Sequence, residues 1–305
     1  MKEKIRDWLN SEGYPLEFKT AKSLRDAGFK TRQGYHVHDP SNNSVREIDV
    51  SADISRTKND GFLRITHTIE CKWSKDKPWV VFTSQDARMA PSACINQTMG
   101  DSYGRAILWT LAGKNELYDL SMFEAPERPG FTAKQCFSKN DQAYNAMQSI
   151  TTTTSKLLEK YDKPSYNREN GFPDTACIAL PCIVVDGEIF ETFLSEESGE
   201  MELHPVNSAR IHWRGAESRR HITTIDIVRS SHLPEFAARR AKEAEIAMGI
   251  FSRAMDNIEH CIQDQSLDKL EVFPGARGTQ GLPPLLYKIY TVQKLTSQPP
   301  PTKKP

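Results

Sequence analysis

Residues 45–73 read VREIDVSADISRTKNDGFLRITHTIECKW, and the organisation of the chain follows from them. Two runs of alternating side chains flank the polar cluster Lys58-Asn59-Asp60-Gly61, which predicts two strands joined by a turn. Successive side chains of a strand point to opposite faces. In Arg46 to Ile54 that rule sends Ile48, Val50, Ala52 and Ile54 to one face and Glu47, Asp49 and Ser51 to the other. In Arg64 to Trp73 it puts Thr68, Glu70 and Lys72 together, opposite Ile65 and Ile69. Folded as a hairpin, the two strands bring an aspartate, a glutamate and a lysine onto one patch. Metal-assisted phosphodiester hydrolysis requires this combination: hard oxygen ligands for Mg²⁺, and a cation next to the attacking water or scissile phosphate.

Outward from this hairpin, the N-terminal segment reads as two helical pieces. Ile5, Trp8 and Leu9 share a face of the first; Leu16, Ala21, Leu24 and Ala27 recur at helical spacing in the second, and Gly28 stops it. An extended run at Tyr35 to His38 precedes the hairpin, giving a meander. Helix is expected within 83–120, and a further helix capped by Asn140 or Asp141 runs to about Tyr161. The run CIALPCIVV, the turn Asp186-Gly187 and EIFETFL carry the Asp-Gly signature of a hairpin. Strands at Ala209 to Trp213 and His221 to Val228 follow, then a long helix to about Ile262 with Pro234 in its tolerated first turn. These elements predict an α/β fold with a mixed central sheet flanked by helices. Residues 1–124 form its first part and carry the motif, 125–174 form a helical insertion, 175–292 complete the fold, and 293–305 form a disordered tail rich in proline.

The composition narrows the function classes. Among 305 residues, 40 basic and 40 acidic side chains cancel, so bulk positive charge does not hold a nucleic acid, and an anionic partner must be met locally. Six cysteines (Cys71, Cys94, Cys136, Cys177, Cys182 and Cys261) lack the spacing of a zinc finger or a redox pair. No hydrophobic leader opens the chain, and the longest apolar run, Cys177 to Val185, contains a proline and is too short to cross a bilayer. A cytoplasmic protein without membrane contact is the resulting expectation.

Asp49, followed after twenty intervening residues by Glu70-Cys71-Lys72, resembles the PD-(D/E)xK motif of the restriction-endonuclease-like nuclease superfamily. REIDV followed by IECKW is similar to the way its Mrr-like and related branches write it. Glu17, in Pro15-Leu16-Glu17-Phe18, matches the glutamate that members often place on the helix before the motif strands. The resemblance spans residues 14 to 85. Position 48 is Ile where the nominal motif has proline, and neither Gln85 nor Gln97 has the tyrosine four residues later that some branches carry.

The resemblance implies a restriction-endonuclease-like core. It implies that Asp49 and Glu70 ligate Mg²⁺, with Mn²⁺ as a substitute, together with the carbonyl oxygen of Cys71. Lys72 would orient or activate the water and stabilise the developing negative charge, and Glu17 would support the metal site. The function that goes with it is a DNA endonuclease in restriction or anti-phage defence. Its partner would be nucleic acid, DNA in preference to RNA, met as a homodimer or within a defence complex. Three other readings keep the residues but not this chemistry: a nuclease-like binding or assembly module in which they are remnants, a salt-bridged sheet face, and a metal-free carboxylate-pair glycosidase.

Overall fold

The structure, a computed structural model, describes all residues except 40–43, 59–60, 75–76, 85–89, 165–170, 216–221, 276–280 and 298–305. In chain order its elements are α1 (Lys2–Glu12), α2 (Tyr14–Asp26), β1 (Lys30–Asp39), β2 (Ser44–Lys58), β3 (Gly61–Trp73), β4 (Trp79–Thr83), α3 (Ala93–Gln97), β5 (Met99–Gly100), α4 (Ser102–Thr110) and α5 (Asn115–Tyr118). Then come β6 (Gly130–Gln135), α6 (Gln142–Glu159), β7 (Thr175–Asp186), β8 (Ile189–Leu194), β9 (Met201–Val206), β10 (Ser208–Trp213), β11 (Thr223–Arg229), α7 (Leu233–Gln263) and α8 (Pro284–Thr296). The strands form one mixed sheet of eleven, in the order β1-β2-β3-β7-β11-β10-β6-β4-β8-β9, with β5 added to β7. Helices cover both faces, so the expected α/β class with a mixed sheet holds.

The first three strands form the meander that the alternating runs predict, β1 antiparallel to β2 and β2 antiparallel to β3. The centre of the second turn, 59–60, lies outside the described residues. β7 runs parallel to both β3 and β11 and is buried over nearly its whole length, as its continuous apolar run requires of a strand covered on both faces. Its alternate residues divide the two layers. Cys177, Ala179, Ile183 and Val185 face the side on which α6 packs, while Ala176, Ile178, Leu180, Cys182 and Val184 face α2, α4 and α7. Pro181 falls between the residues that pair with β5 (Ile178, Ala179) and those that pair with β11 (from Cys182), where a missing N–H disturbs the ladder least.

Three expectations are corrected. Asp186-Gly187 does not close a hairpin: β7 already has β3 and β11 beside it, and β8 leaves to pair with β4 and β9. Gly187 serves close approach instead, since a Cβ there would lie 2.0 Å from Ser74 Oγ, while Ser74 donates to the Asp186 carbonyl at 2.6 Å. The segment 125–174 is more than a helical insertion. It supplies β6 to the sheet, and its helix α6, capped by Asp141 as expected, packs on β3 and β7. The tail starts later than residue 293, because α8 continues to Thr296 and Gln293 bonds Leu267 N and Asp268 Oδ1; residues 298–305 lie outside the described residues. The apolar residues of α1 lie at the surface: Trp8 is 53% exposed and no α1 residue is buried.

α7 is fastened to the sheet by a buried ionic network. Asp226 on β11 accepts from Arg210 of β10 at 2.8 and 3.1 Å and from Arg240 of α7 at 2.8 Å. Arg240 also donates to Glu243 at 2.9 Å and to Ser121 Oγ at 2.7 Å, and Glu243 accepts the backbone N–H groups of Ser121 and Met122. Burial opposes ionisation of Asp226, yet Arg210 and Arg240 hold its carboxyl well below the ordinary range.

Gly13, between α1 and α2, has φ 85, and a Cβ there would lie 2.7 Å from Trp73 Cβ at the end of β3. Gly13→Ala is therefore expected to lower stability by about 1–2 kcal/mol from the left-handed backbone alone, and further through the clash. Urea denaturation measures the loss, and an unchanged midpoint would contradict this junction.

Candidate active site

The pairing of β2 with β3 runs from Lys58↔Gly61 to Val50↔Ile69 and stops there. At the next position the Asp49 side chain takes over the role of a ladder carbonyl, its Oδ2 accepting the Cys71 N–H at 2.7 Å. On the other side of β2, Gly34 of β1 sits with φ 64 between the pairs Gln33↔Val50 and Tyr35↔Ile48. Through this point the strict alternation expected for β2 does not hold. Val50 and Ala52 pack with Leu16, Ala21 and Leu24 of α2, whereas Ile48 packs with Val37 and Leu157 of α6. Ile48 therefore does not share the face of Val50 and Ala52, and Asp49 is the residue at which the strand changes faces.

Glu70 is 6% exposed and held at both oxygens. Oε1 meets Lys72 Nζ at 2.5 Å, and Oε2 accepts Ser149 Oγ of α6 at 3.2 Å. One step along the same face, Thr68 Oγ1 meets Thr154 Oγ1 of α6 at 2.5 Å. The alternation that grouped Thr68, Glu70 and Lys72 is thus realised, with α6 lying over that group. Glu17 stands on α2, whose apolar residues Leu16, Ala21 and Leu24 seat the helix on β2 and β3. Beside it, Cys71 Sγ donates to Thr20 Oγ1 at 3.6 Å.

Electrostatics tie these groups together. Burial first, and the neighbouring Glu70 second, push the Asp49 carboxyl up to about 7 against the pull of the Cys71 amide and of Lys72. Burial and then Glu47 raise Glu17, with Lys72 opposing and Glu70 adding. Burial alone would lower the Lys72 ammonium, but Glu70 outweighs it and the net shift is upward. The Cys71 thiol is driven well up by burial and by Asp49, so its sulfur stays protonated. Carboxylates thus outnumber ammonium groups in a half-dry corner, an imbalance that a bound cation relieves.

The donor set suits Mg²⁺ in part. Among the described residues no three His, Cys, Asp or Glu side chains form a group that could hold a metal ion. Asp49, Glu70 and Glu17 therefore do not all three converge as ligands of one ion, although each of the other two carboxylates raises Asp49 electrostatically. Mg²⁺ is commonly held by one or two carboxylates, with water and substrate phosphate completing its shell, and two carboxylates meet that need. In an extended strand the N–H and C=O of one residue leave on the same side, so the Cys71 carbonyl faces the same gap as the N–H that Asp49 accepts.

A scan against protein-family models matches none, and searches of curated proteins and of solved structures likewise return no match. Among the described residues no helix is long and apolar enough to cross a membrane.

Ser149 and Thr154 were missed by sequence reasoning because they lie in the segment set aside as an insertion. Their signal is the run Ser149 to Ser155, in which six of seven residues are Ser or Thr within a helix of eighteen. Such residues are poor helix formers, and here Ser149 and Thr154 reach Glu70 and Thr68 of β3. Trp79 is fully buried in the core. Gln97 is bonded to His212 on β10, away from the site, and Gln85 lies outside the described residues.

Proposed function

We propose that this chain is a Mg²⁺-dependent phosphodiesterase acting on nucleic acid, a DNA endonuclease with a restriction-endonuclease-like core. The observation that carries the reading is the Asp49 carboxylate bonded to the Cys71 amide where β2 and β3 part, beside the Glu70–Lys72 pair. Asp49, Glu70 and the Cys71 carbonyl would hold the ion, and Mn²⁺ would serve in its place. The ion, when bound, supplies Lewis-acid stabilisation of the phosphate and a more acidic water. Lys72, kept protonated by Glu70, acts as a fixed positive charge toward a phosphate oxygen and not as a proton acceptor. Glu70, tied to Lys72 and Ser149, keeps that charge in place. Glu17 tunes the field of the site from α2. The cellular setting that accompanies this reading is restriction or anti-phage defence in the cytoplasm, with two copies or a partner protein bringing two sites to a duplex.

Supercoiled plasmid, duplex and single-stranded DNA, and RNA, incubated with the full chain with Mg²⁺ or with a chelator, test the proposal. Cleavage of DNA that needs the ion is expected, with Lys72→Ala slower by about 10²–10³-fold. Equal cleavage by Lys72→Ala, or cleavage indifferent to chelator, ends the reading. A second reading, a nuclease-like binding or assembly module, draws on the two-carboxylate limit of the side-chain ligands. It predicts nucleic-acid binding that motif substitutions leave unchanged.

A further inference from the structure

α1 and α2 leave a row of aromatic side chains in solvent beside the candidate active site. Trp8 on α1 and Tyr14 at the start of α2 have ring centroids 5.5 Å apart. Phe18 follows one turn after Tyr14 on the same face of α2, and the three rings are 53%, 40% and 64% exposed. Single apolar side chains at a surface are ordinary, but a contiguous group marks a place of contact. Phe18 adjoins Glu17 in the chain, and Glu17 feels the charges of Glu47, Lys72 and Glu70, so the row borders the corner that holds Asp49. Gly13, which joins the two helices, is seated against Trp73 at the end of the strand that carries Glu70 and Lys72. The row is therefore held in place relative to that strand.

Charge decides what such a row suits. Residues 13–32 carry five basic and two acidic side chains, a net of +3 in a chain whose formal charge is zero. The five cations, Lys19, Lys22, Arg25, Lys30 and Arg32, are all exposed. Lys22 pairs with Asp26, and Arg25 donates to Thr31 Oγ1 at 3.1 Å. The side chains of Lys19, Lys30 and Arg32 make no hydrogen bond or ion pair among the described residues. α1 itself carries three basic and three acidic side chains, so it lacks the positive charge by which an amphipathic helix holds an anionic membrane. Open rings beside a line of cations match a polyanion with unpaired bases, because base faces stack on aromatic side chains while phosphates follow the cations. A duplex keeps its base faces inside its own stack and cannot use the rings in this way.

We infer that Trp8, Tyr14 and Phe18 form a stacking platform for an unpaired segment of nucleic acid, whose phosphates run along the cations of α2 and the start of β1 toward the Asp49 corner. The inference rests on the phosphodiesterase reading and narrows its substrate to strands that are single or locally unpaired beside the bond to be cut.

Fluorescence anisotropy titration of the full chain in the presence of chelator measures binding apart from cleavage. The probes are a labelled oligothymidylate of about 20 nucleotides, an abasic strand of equal length that carries the same phosphates without bases, and a blunt duplex. The oligothymidylate is expected to bind at least about tenfold more tightly than the abasic strand. Trp8→Ala and Phe18→Ala, at exposed positions that leave the core intact, should each weaken it by about 5- to 100-fold and change duplex binding by less than about twofold. Trp8→Phe, which keeps a ring, should retain most of the affinity. Tyr287→Ala, which removes an exposed ring from α8, should leave it unchanged. Absence of oligothymidylate binding, equal binding of the normal and abasic strands, or parental affinity in both alanine variants overturns the platform, whether or not the chain cleaves DNA. Self-association that Trp8→Ala abolishes, without base-dependent binding, overturns it in favour of a second copy on this face. Base-dependent binding that both alanine variants lose upholds the platform, and a failure of Mg²⁺-dependent cleavage would then end the phosphodiesterase reading alone.

Discussion

Asp49→Asn is expected to reduce Mg²⁺-dependent cleavage by about 10³-fold or more and, in the absence of the ion, to make the protein more stable at pH 8. The two effects share one cause, a carboxylate held in a corner that disfavours its charge. The native carboxyl titrates near 7 against an ordinary value of 3.8. Between those values the folded state holds more proton than the unfolded chain, so stability falls as pH rises through that window. Asparagine keeps the oxygen that accepts the Cys71 N–H but carries no charge. The variant should match the parent near pH 4 and exceed it at pH 8 by about 2–4 kcal/mol, read from urea denaturation at the two pH values. Adding Mg²⁺ should then stabilise the parent by mass action and leave the variant unmoved. A variant less stable than the parent at pH 8 without metal would refute the electrostatic account of the site, and a variant that Mg²⁺ still stabilises would refute Asp49 as a ligand.

The largest purely structural loss is expected at Asp226, which is 8% exposed and sits between two buried guanidinium groups. Asp226→Ala leaves Arg210 and Arg240 charged and without their common carboxylate, a defect that costs about 3–5 kcal/mol. The native carboxyl is held below its ordinary value, so its contribution is present above the unfolded pKa of about 3.8. That contribution is lost as pH falls toward the lower folded value. The difference between parent and variant should therefore be full at pH 7 and shrink in strong acid. Thermal and urea unfolding across pH check this, and a loss under about 1 kcal/mol at pH 7 would mean that the network acts as an exposed ion pair.

Several features were decided by the chain's local pattern. The alternation in 45–73 placed β2 and β3, whose register runs from Lys58↔Gly61 to Val50↔Ile69. Glu70 and Lys72 share a face for that reason, and the register brings Asp49 to the end of the ladder beside them. Asp141 at the start of α6 and Pro234 at the start of α7 likewise act within a single turn of helix.

Tertiary structure alone decided what lies beyond one element and its neighbour. Nothing within CIALPCIVV names β3 and β11 as its partners, so the Asp-Gly pair after it signalled a hairpin that the crowded middle of the sheet does not permit. The arrival of α6 over Glu70, the change of face at Asp49 opposite Gly34, and the joining of Arg210, Asp226 and Arg240 all depend on residues far apart in the chain. A side chain's local sequence states its chemistry and its direction along an element. Which distant group neutralises, covers or hydrogen-bonds it is settled only when the layers pack, because burial and pairing are properties of the assembled core.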